Sequence, residues 1–456
     1  MPEQTPPALP IAPLYLHPHS VANEPLLLHE GPVVVHHAAG TTRGRSTLSL
    51  QWQPRTGLRL KMDLESDDLL DIQGQVRVDI AGGTAATFLS SLRHHFGEDG
   101  RSQAAEAGIR FIETGSPDNF VSMGFQVVNF PDFMARGAVA APDFGMRLTS
   151  VRTSCPGWIV EMAAVENSID IYKSLKATGG YAFTHIGRIR REDGVTFSAA
   201  DAEPVIGALH SFFGFARGAA CGIPIQWGLS FNGTVCWERW GSSVMTAWGD
   251  RQPWFDEHHG NLLAEIFPAF FQMHNDADQR PPLKLALHWY MKSSNRDGGM
   301  EGAIILGFTA LDLLGALVVV GRAGLLNETK YDDLKAHQKI RALLNVLKVP
   351  EAIPAHRKNL VAFAASNNWI DAASALSEIR HGYVHPNAKR RAVVLNAPNL
   401  AIFEAWQLCL WYQELALLFL LNHQGDYRNR LTAEWVGQVE KVPWAAVDHD
   451  RRSVLE

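Results

Sequence analysis

The chain has 456 residues, 46% of them hydrophobic, and 41 Lys and Arg against 47 Asp and Glu give a formal net charge of -6. That length exceeds one average core and predicts two or three domains of an ordinary soluble globular protein. Four cysteines, Cys155, Cys221, Cys236 and Cys409, share no paired spacing, which argues against a disulfide framework or a cysteine zinc site and fits a reducing compartment.

Residues 1–13, MPEQTPPALPIAP, repeat proline and lack a basic or apolar leader region, so residues 1–25 read as a flexible tail and the cytoplasm is the expected location. From 26 to 280 the apolar runs are short and often alternating, at 32–35, 48–52, 57–64, 75–80, 125–130 and 158–162, with Gly, Pro, Asn and Asp between them. This is the texture of a β-rich region. It continues through 217–248, where glycines punctuate stretches around Trp227, Trp237 and Trp240. Runs 85–96, 202–215 and 255–273 are expected as helices. The polar segment 179–188 reads as a strand flanked by Gly turns. The run HNDADQRPP, ending at Pro281 and Pro282, is the expected linker.

Beyond Pro282 the periodicity is helical, predicting helices at 283–293, 301–320, 331–347, 355–365, 370–381 and 399–422, joined by short breaks as in an antiparallel bundle. Segments 302–320 and 401–421 approach the length of a membrane span. Asp312 at the centre of the first would cost roughly 2.5–3.5 kcal/mol in a bilayer, and Glu404 and Glu414 interrupt the second, so both are expected as buried helices with no membrane partner.

Between the last two helices stands Glu378-Ile379-Arg380-His381-Gly382-Tyr383-Val384-His385-Pro386. An arginine that holds a phosphate and a histidine that moves its proton suffice to cleave RNA without a metal, because RNA supplies its own 2′-hydroxyl nucleophile. His385 serves as base or acid near neutrality, and Arg380 offers a planar fork of donors matched to phosphate oxygens. Arg251 and His258, in GDRQPWFDEHHG, have similar spacing but lie outside any helical array, and chance accounts for them. The X-Pro step at His385 pushes it out of helical geometry, which suits an exposed catalytic loop or a simple helix stop.

A long apolar helix with a central acid, intervening helices, this Arg-x4-His segment and a last hydrophobic helix together resemble the HEPN superfamily. The likeness covers residues 283–422 and leaves the first 280 outside it. It implies an all-α bundle, a homodimer formed through that bundle with paired motifs facing each other, and a metal-independent endoribonuclease of toxin, RNA-processing or anti-phage type. By position Arg380 and His385 take the signature places and His381 the polar slot that is more often Asn. One histidine cannot easily make both proton transfers, so His381 or a second His385 across the dimer completes the set. Asp312 either orients this group or is satisfied by some other basic partner, and Tyr383 is a supporting candidate.

Residues 281–425 hold fifteen Lys and Arg against eleven Asp and Glu, a balance of +4 inside the acidic chain. Lys389, Arg390 and Arg391 are candidates to hold the RNA backbone, or form a solvated turn. The histidine clusters His36-His37, His94-His95 and Asp256-Glu257-His258-His259 lack the spacing of a helical zinc site, so neither metal nor cofactor is expected. No phosphate loop, serine-nucleophile elbow or dinucleotide fingerprint is present.

The expected fold class is therefore α+β: a tail at 1–25, a β-rich N-terminal region at 26–280, an all-α HEPN-like helical bundle at 281–425 and a C-terminal extension at 426–456. The expected partners are RNA, a second copy of the chain, and a phage or cellular trigger that the N-terminal region senses. In the competing reading the bundle is a catalytically inactive dimerisation or binding module and the N-terminal region recognises a ligand.

Overall fold

The computed structural model describes residues 21–445 apart from 39, 66–74, 98–99, 136–138, 142–144, 148–149, 250 and 297. Most of the expected tail, and residues 446–456 of the expected extension, lie outside these. The fold is α+β and divides into two compact units, Met1–His210 with Ala220–Asp250 and Ser211–Ala219 with Arg251–Glu456.

The first unit opens with six antiparallel strands, β1 (Leu26–His37), β2 (Gly40–Gln51), β3 (Gly57–Glu65), β4 (Gln75–Ile80), β5 (Gly83–Gly97) and β6 (Gly100–Ile109). They close into a barrel in the order β1-β2-β3-β6-β5-β4. Alternation directs the closure: Leu58, Leu60, Met62 and Leu64 on β3 and Val76, Val78 and Ile80 on β4 are buried, while Lys61, Asp63 and Arg77 stay outside. The buried side chains pack against one another in a single core.

Residues 85–96, expected as a helix, are strand in β5. The reason is the turn before them, where Ala81 and Gly82 both have positive φ, at 55° and 77°. This two-residue turn matches the twist of a hairpin and returns the chain against β4, with Ile80 opposite Gly83. Pairing on both edges, with β4 and β6, then overrides the helical leaning of the Ala- and Leu-containing run.

After β7 (Phe111–Gly115) and β8 (Ser122–Val128) come a hairpin, β9 (Val139–Ala141) with β10 (Gly145–Arg147), and the strands β11 (Ser150–Cys155), β12 (Trp158–Ala164), β13 (Phe183–Arg191), β14 (Ile225–Leu229) and β15 (Val235–Gly241). Seven of these form an antiparallel sheet ordered β11-β12-β13-β8-β14-β15-β7. Helices α1 (Ser168–Thr178) and α2 (Ala199–Arg217) interrupt it. Trp227, Trp240 and Ile186 from this sheet join the barrel residues in the shared core.

The second unit is helical. It contains α3 (Asn261–Asn275), α4 (Arg280–Ser294), α5 (Gly299–Ala316) continued by a π-helical turn (Leu317–Arg322), α6 (Glu328–Asp332), α7 (Ala336–Val346), α8 (Lys358–Ser366), α9 (Ala372–Val384), α10 (Ala388–Leu395) and α11 (Asn399–Leu420). Two short strands follow, β16 (Asp426–Tyr427) and β17 (Glu440–Lys441), paired antiparallel. The expected linker is only a tight corner: Asp276 accepts backbone N–H groups of Asp278 and Gln279, and Pro281 and Pro282 sit in the first turn of α4. The unit therefore begins before the expected boundary at 280. Trp254 stacks at 4.8 Å on Phe215 and donates its indole N–H to the Phe215 carbonyl at 3.1 Å, both within this unit. The expected helix 331–347 is broken, because Lys335 is extended and begins α7.

Among the described residues one helix, Gly299–Arg322, is long and apolar enough to cross a membrane, and more than half of its apolar window is buried inside the protein. The last helix, α11, is buried on nearly every side from Ala401 to Leu418. Its Glu414 is fully buried and accepts Nε, at 2.9 Å, and Nη2 from one edge of the Arg430 guanidinium, and the Tyr290 hydroxyl at 2.8 Å. Residues 426–445 are thereby an integral part of the helical unit.

Two outcomes follow from these buried groups. Glu414→Gln leaves Arg430 buried without its counter-charge and should lower stability by about 3–5 kcal/mol, read as a fall in the urea unfolding midpoint; an unchanged midpoint would contradict the arrangement. In the first unit His185 on β13 is fully buried, stacked on Phe133 at 5.3 Å, and burial pulls its pKa from 6.5 down to about 3. A depressed folded-state pKa means that the unfolded chain binds the extra proton, so stability is full above pH 6.5 and falls as the pH drops toward 3. Between pH 7.5 and 5.0 the wild type should lose about 2 kcal/mol that His185→Leu does not lose, measured by urea unfolding at both pH values.

Candidate functional site

The site is assembled by the end of α9. That helix starts at Asp371, whose carboxylate accepts the Ser374 N–H at 2.7 Å while the Ser374 hydroxyl accepts the Asp371 N–H at 3.0 Å, a reciprocal cap. Arg341 holds the same carboxylate at 2.7 Å. The other end is set by Pro386, which forces His385 to an extended backbone, φ -94° and ψ 149°. Asn387 then caps α10, accepting the Arg390 N–H at 3.1 Å.

Helix α10, which lies in one of the expected breaks, folds back on α9 because of Gly382. A Cβ there would come within 2.2 Å of Val394 Cγ2 and 3.0 Å of the Arg390 carbonyl oxygen. Only a bare backbone accepts so close a neighbour. The result places Lys389, Arg390 and Arg391 in the first turns of a helix rather than in a surface turn. Three positive charges there oppose the helix dipole, and Arg390 is partly compensated by Glu378 of α9, with Nε to Oε2 at 3.4 Å.

The structure brings Arg380, His381 and His385 together. Arg380 Nη1 donates to His385 Nε2 over a long 3.4 Å, and the His381 and His385 ring centroids are 5.0 Å apart at 64°. Arg380 is half-buried over Phe308 of α5, its Cζ 5.6 Å from that ring, whereas His385 is exposed. His381 is half-buried. Its Nδ1 has no hydrogen-bond partner and lies 3.9 Å from Glu378 Oε1. Burial, reinforced by Arg380, His385 and Arg390 and opposed by Glu378, lowers the His381 pKa below 6.5, so this imidazole is neutral at physiological pH and able to take a proton.

The remaining candidates are distributed differently. Asp312 pairs with Lys339 of α7 at 3.4 Å. Tyr383 is half-buried, and burial together with Glu301 pushes its phenol up to about 12, keeping it protonated. The pair Arg251 and His258 is separated in role: Arg251 donates to Asn295 at 2.7 Å, and the His258 backbone N–H donates to the Asp256 carboxylate at 2.8 Å. His36 pairs with Asp79 at 2.7 Å, and the side chains of His94 and His95 lie outside the described residues. Among the described residues no three His, Cys, Asp or Glu side chains converge as a metal site would require.

Beside the motif, α9, α10 and the turn before α9 line a half-open cavity of about 310 Å³, with Trp369, Glu378, Asn387, Lys389, Arg390 and Val394 in its wall. Glu378 is within reach of sequence reasoning because it precedes His381 by three residues on one helix. Phe308 and Trp369 are not, since each reaches the site from a different part of the chain.

Family models describe two parts of this chain: the YopA central domain matches residues 116–251 and the YopA C-terminal domain matches residues 276–441. The second match contains the whole Arg380 to His385 segment and the cavity, and the barrel lies outside both. The chain is also 26% identical over 355 residues to the SPbeta prophage-derived uncharacterized protein YopA of Bacillus subtilis (strain 168), covering 77% of this chain and 78% of that one. No solved structure matches.

Gly382→Ala tests the geometry of the site. Alanine would favour an isolated helix by about 1 kcal/mol, but the overlap with Val394 and a backbone carbonyl should reverse the sign and destabilise by about 1–3 kcal/mol. Urea unfolding, with hydrogen exchange accelerated in α10, would report this; equal or greater stability would contradict the close approach.

Proposed function

We propose that the helical unit is a HEPN-like, metal-independent endoribonuclease that cleaves by attack of the RNA 2′-hydroxyl. The observation that carries the reading is the cluster at the exposed end of α9, where Arg380 Nη1 lies 3.4 Å from His385 Nε2 and the His381 ring centroid is 5.0 Å from that of His385. Strand cleavage needs a base for the 2′-hydroxyl proton, an acid for the 5′-oxygen and positive charge on the phosphorane. The neutral, half-buried His381 suits the base, the solvent-facing His385 the acid once protonated, and Arg380 the charge. A second copy of the chain docked through the helical unit, as the resemblance implies, would set a second Arg–His pair opposite the first. The basic first turns of α10 would hold the RNA backbone, and DNA, lacking the 2′-hydroxyl, would be spared.

The first unit, with its barrel and its Trp-bearing sheet, is proposed as the sensor that restrains this cytoplasmic nuclease until a phage or cellular trigger arrives. The prophage origin in the name of the Bacillus relative fits a toxin or defence role in conflict between phage and host. A chain begun at residue 281 would not test restraint, because it lacks α3 and Trp254, which belong to the helical unit. The second reading, an inactive dimerisation or binding module, draws on the fact that Arg380 has partners of its own in Phe308 and His385.

Cleavage of total cellular RNA in EDTA decides between them. Wild type should leave 2′,3′-cyclic or 3′-phosphate ends, and His385→Ala should be slower by about 10²–10⁴-fold. With His381 as the base, the acidic limb of the rate profile should fall below pH 6.5, in the direction of its lowered pKa. RNA left intact by wild type, with and without phage infection of the expressing host, would sink the nuclease reading in favour of the binding module.

A further inference from the structure

We propose that the cavity beside the motif is a nucleobase pocket that selects the nucleotide next to the scissile phosphate, with guanine as the preferred base. The proposal rests on the ribonuclease reading for its place in the reaction, but the pocket stands on its own chemistry. At about 310 Å³ the cavity is at the lower end of small-ligand sites, which run from about 300 to 1,000 Å³. Its wall combines one half-buried aromatic face, Trp369, an apolar floor at Val394 and a polar margin. Single-stranded RNA is read by just such a set, with a base stacked on an aromatic ring and its edge hydrogen-bonded.

The hydrogen-bonding capacity left in the wall narrows the choice. Trp369 meets Phe363 edge-on at 5.0 Å and 86°, a contact that restricts the indole ring lining the cavity. The Asn387 side-chain oxygen is engaged by the Arg390 N–H at 3.1 Å, leaving its amide N–H groups as donors. Glu378 Oε2 faces Arg390 Nε at 3.4 Å, but Oε1 is 3.9 Å from His381 Nδ1, too far for a hydrogen bond. Glu378 lines the cavity, and a carboxylate there asks for a ligand with donors. Guanine presents N1–H and N2–H on one edge with a carbonyl beside them for an amide donor. Adenine and cytosine offer a smaller donor set to a carboxylate. Lys389, exposed at the cavity mouth, suits the attached phosphate.

Glu378 also links the pocket to the reaction, since it lines the cavity and is the nearest carboxylate to His381. A base that engages Glu378 would remove the charge that favours protonated His381, so occupancy and proton transfer are joined through one side chain.

Calorimetric titration of the full chain in EDTA with 3′-GMP, 3′-AMP, 3′-CMP and inorganic phosphate tests this without turnover. The expected result is that 3′-GMP binds about tenfold or more tightly than phosphate, that Trp369→Ala weakens it by about tenfold, and that Trp369→Phe keeps most of the affinity. Glu378→Gln should bring the ratio of 3′-GMP to 3′-AMP affinity toward one. Equal affinities for 3′-GMP and phosphate, or an undiminished affinity in folded Trp369→Ala, would overturn the proposal. If Trp369→Ala loses its circular dichroism signal, Glu378→Gln decides, and an unchanged preference for 3′-GMP over 3′-AMP overturns it. Binding of 3′-GMP without RNA cleavage would remove the ribonuclease reading and keep the pocket; cleavage without nucleotide binding would remove the pocket alone.

Discussion

The helical unit depends on one carboxylate that cannot reach water. Glu414 stands in the middle of α11, a helix buried on nearly every side, and a lone charge there would cost several kcal/mol. Arg430 meets it with two N–H donors of one edge and Tyr290 adds a hydroxyl, so the segment after α11 and the helix α4 are both tied to the same point. Further bonds follow the same logic. Arg357 reaches the Leu431 carbonyl at 2.6 Å, and Glu404 accepts the Leu360 N–H at 2.7 Å. These bonds between buried polar groups tie the elements around α11 to one another.

The candidate site lies where that assembly reaches solvent. Helix α9 is held at its start by the cap at Asp371 and by Arg341, and stopped by the proline after His385. Gly382 then admits α10, so that a chain reversal of a few residues puts two imidazoles, one guanidinium and a basic helix start on one face. The basic residues at the start of α10 run against the helix dipole, which a sequence chosen for stability alone would avoid. An anion at this face would relieve the repulsion. Local features that work against stability are where function is expected to be found.

The same contrast appears between the two units. In the barrel, inside and outside alternate along β3 and β4 as the residues alternate in type, and strand identity follows directly. Residues 85–96 do not follow it, because an Ala- and Leu-containing run carries no strong period and the Ala81-Gly82 turn, together with pairing on both sides, makes the choice. The boundary near 280 misleads for a related reason. Asp276 and the two prolines mark a corner between helices, and composition alone does not distinguish a corner from a linker.

What the sequence determined by itself was the class of each half, the buried helices with their interrupting acids, and the Arg380 to His385 segment, because periodicity, proline and residue chemistry act over a few neighbouring positions. The tertiary structure alone decided that His381 faces His385, that Asp312 is engaged by Lys339, that α10 returns against α9, and that Trp369 lines a cavity beside the motif. Each of these depends on distances between residues on different elements, and such distances are set by how the helices pack rather than by any local pattern.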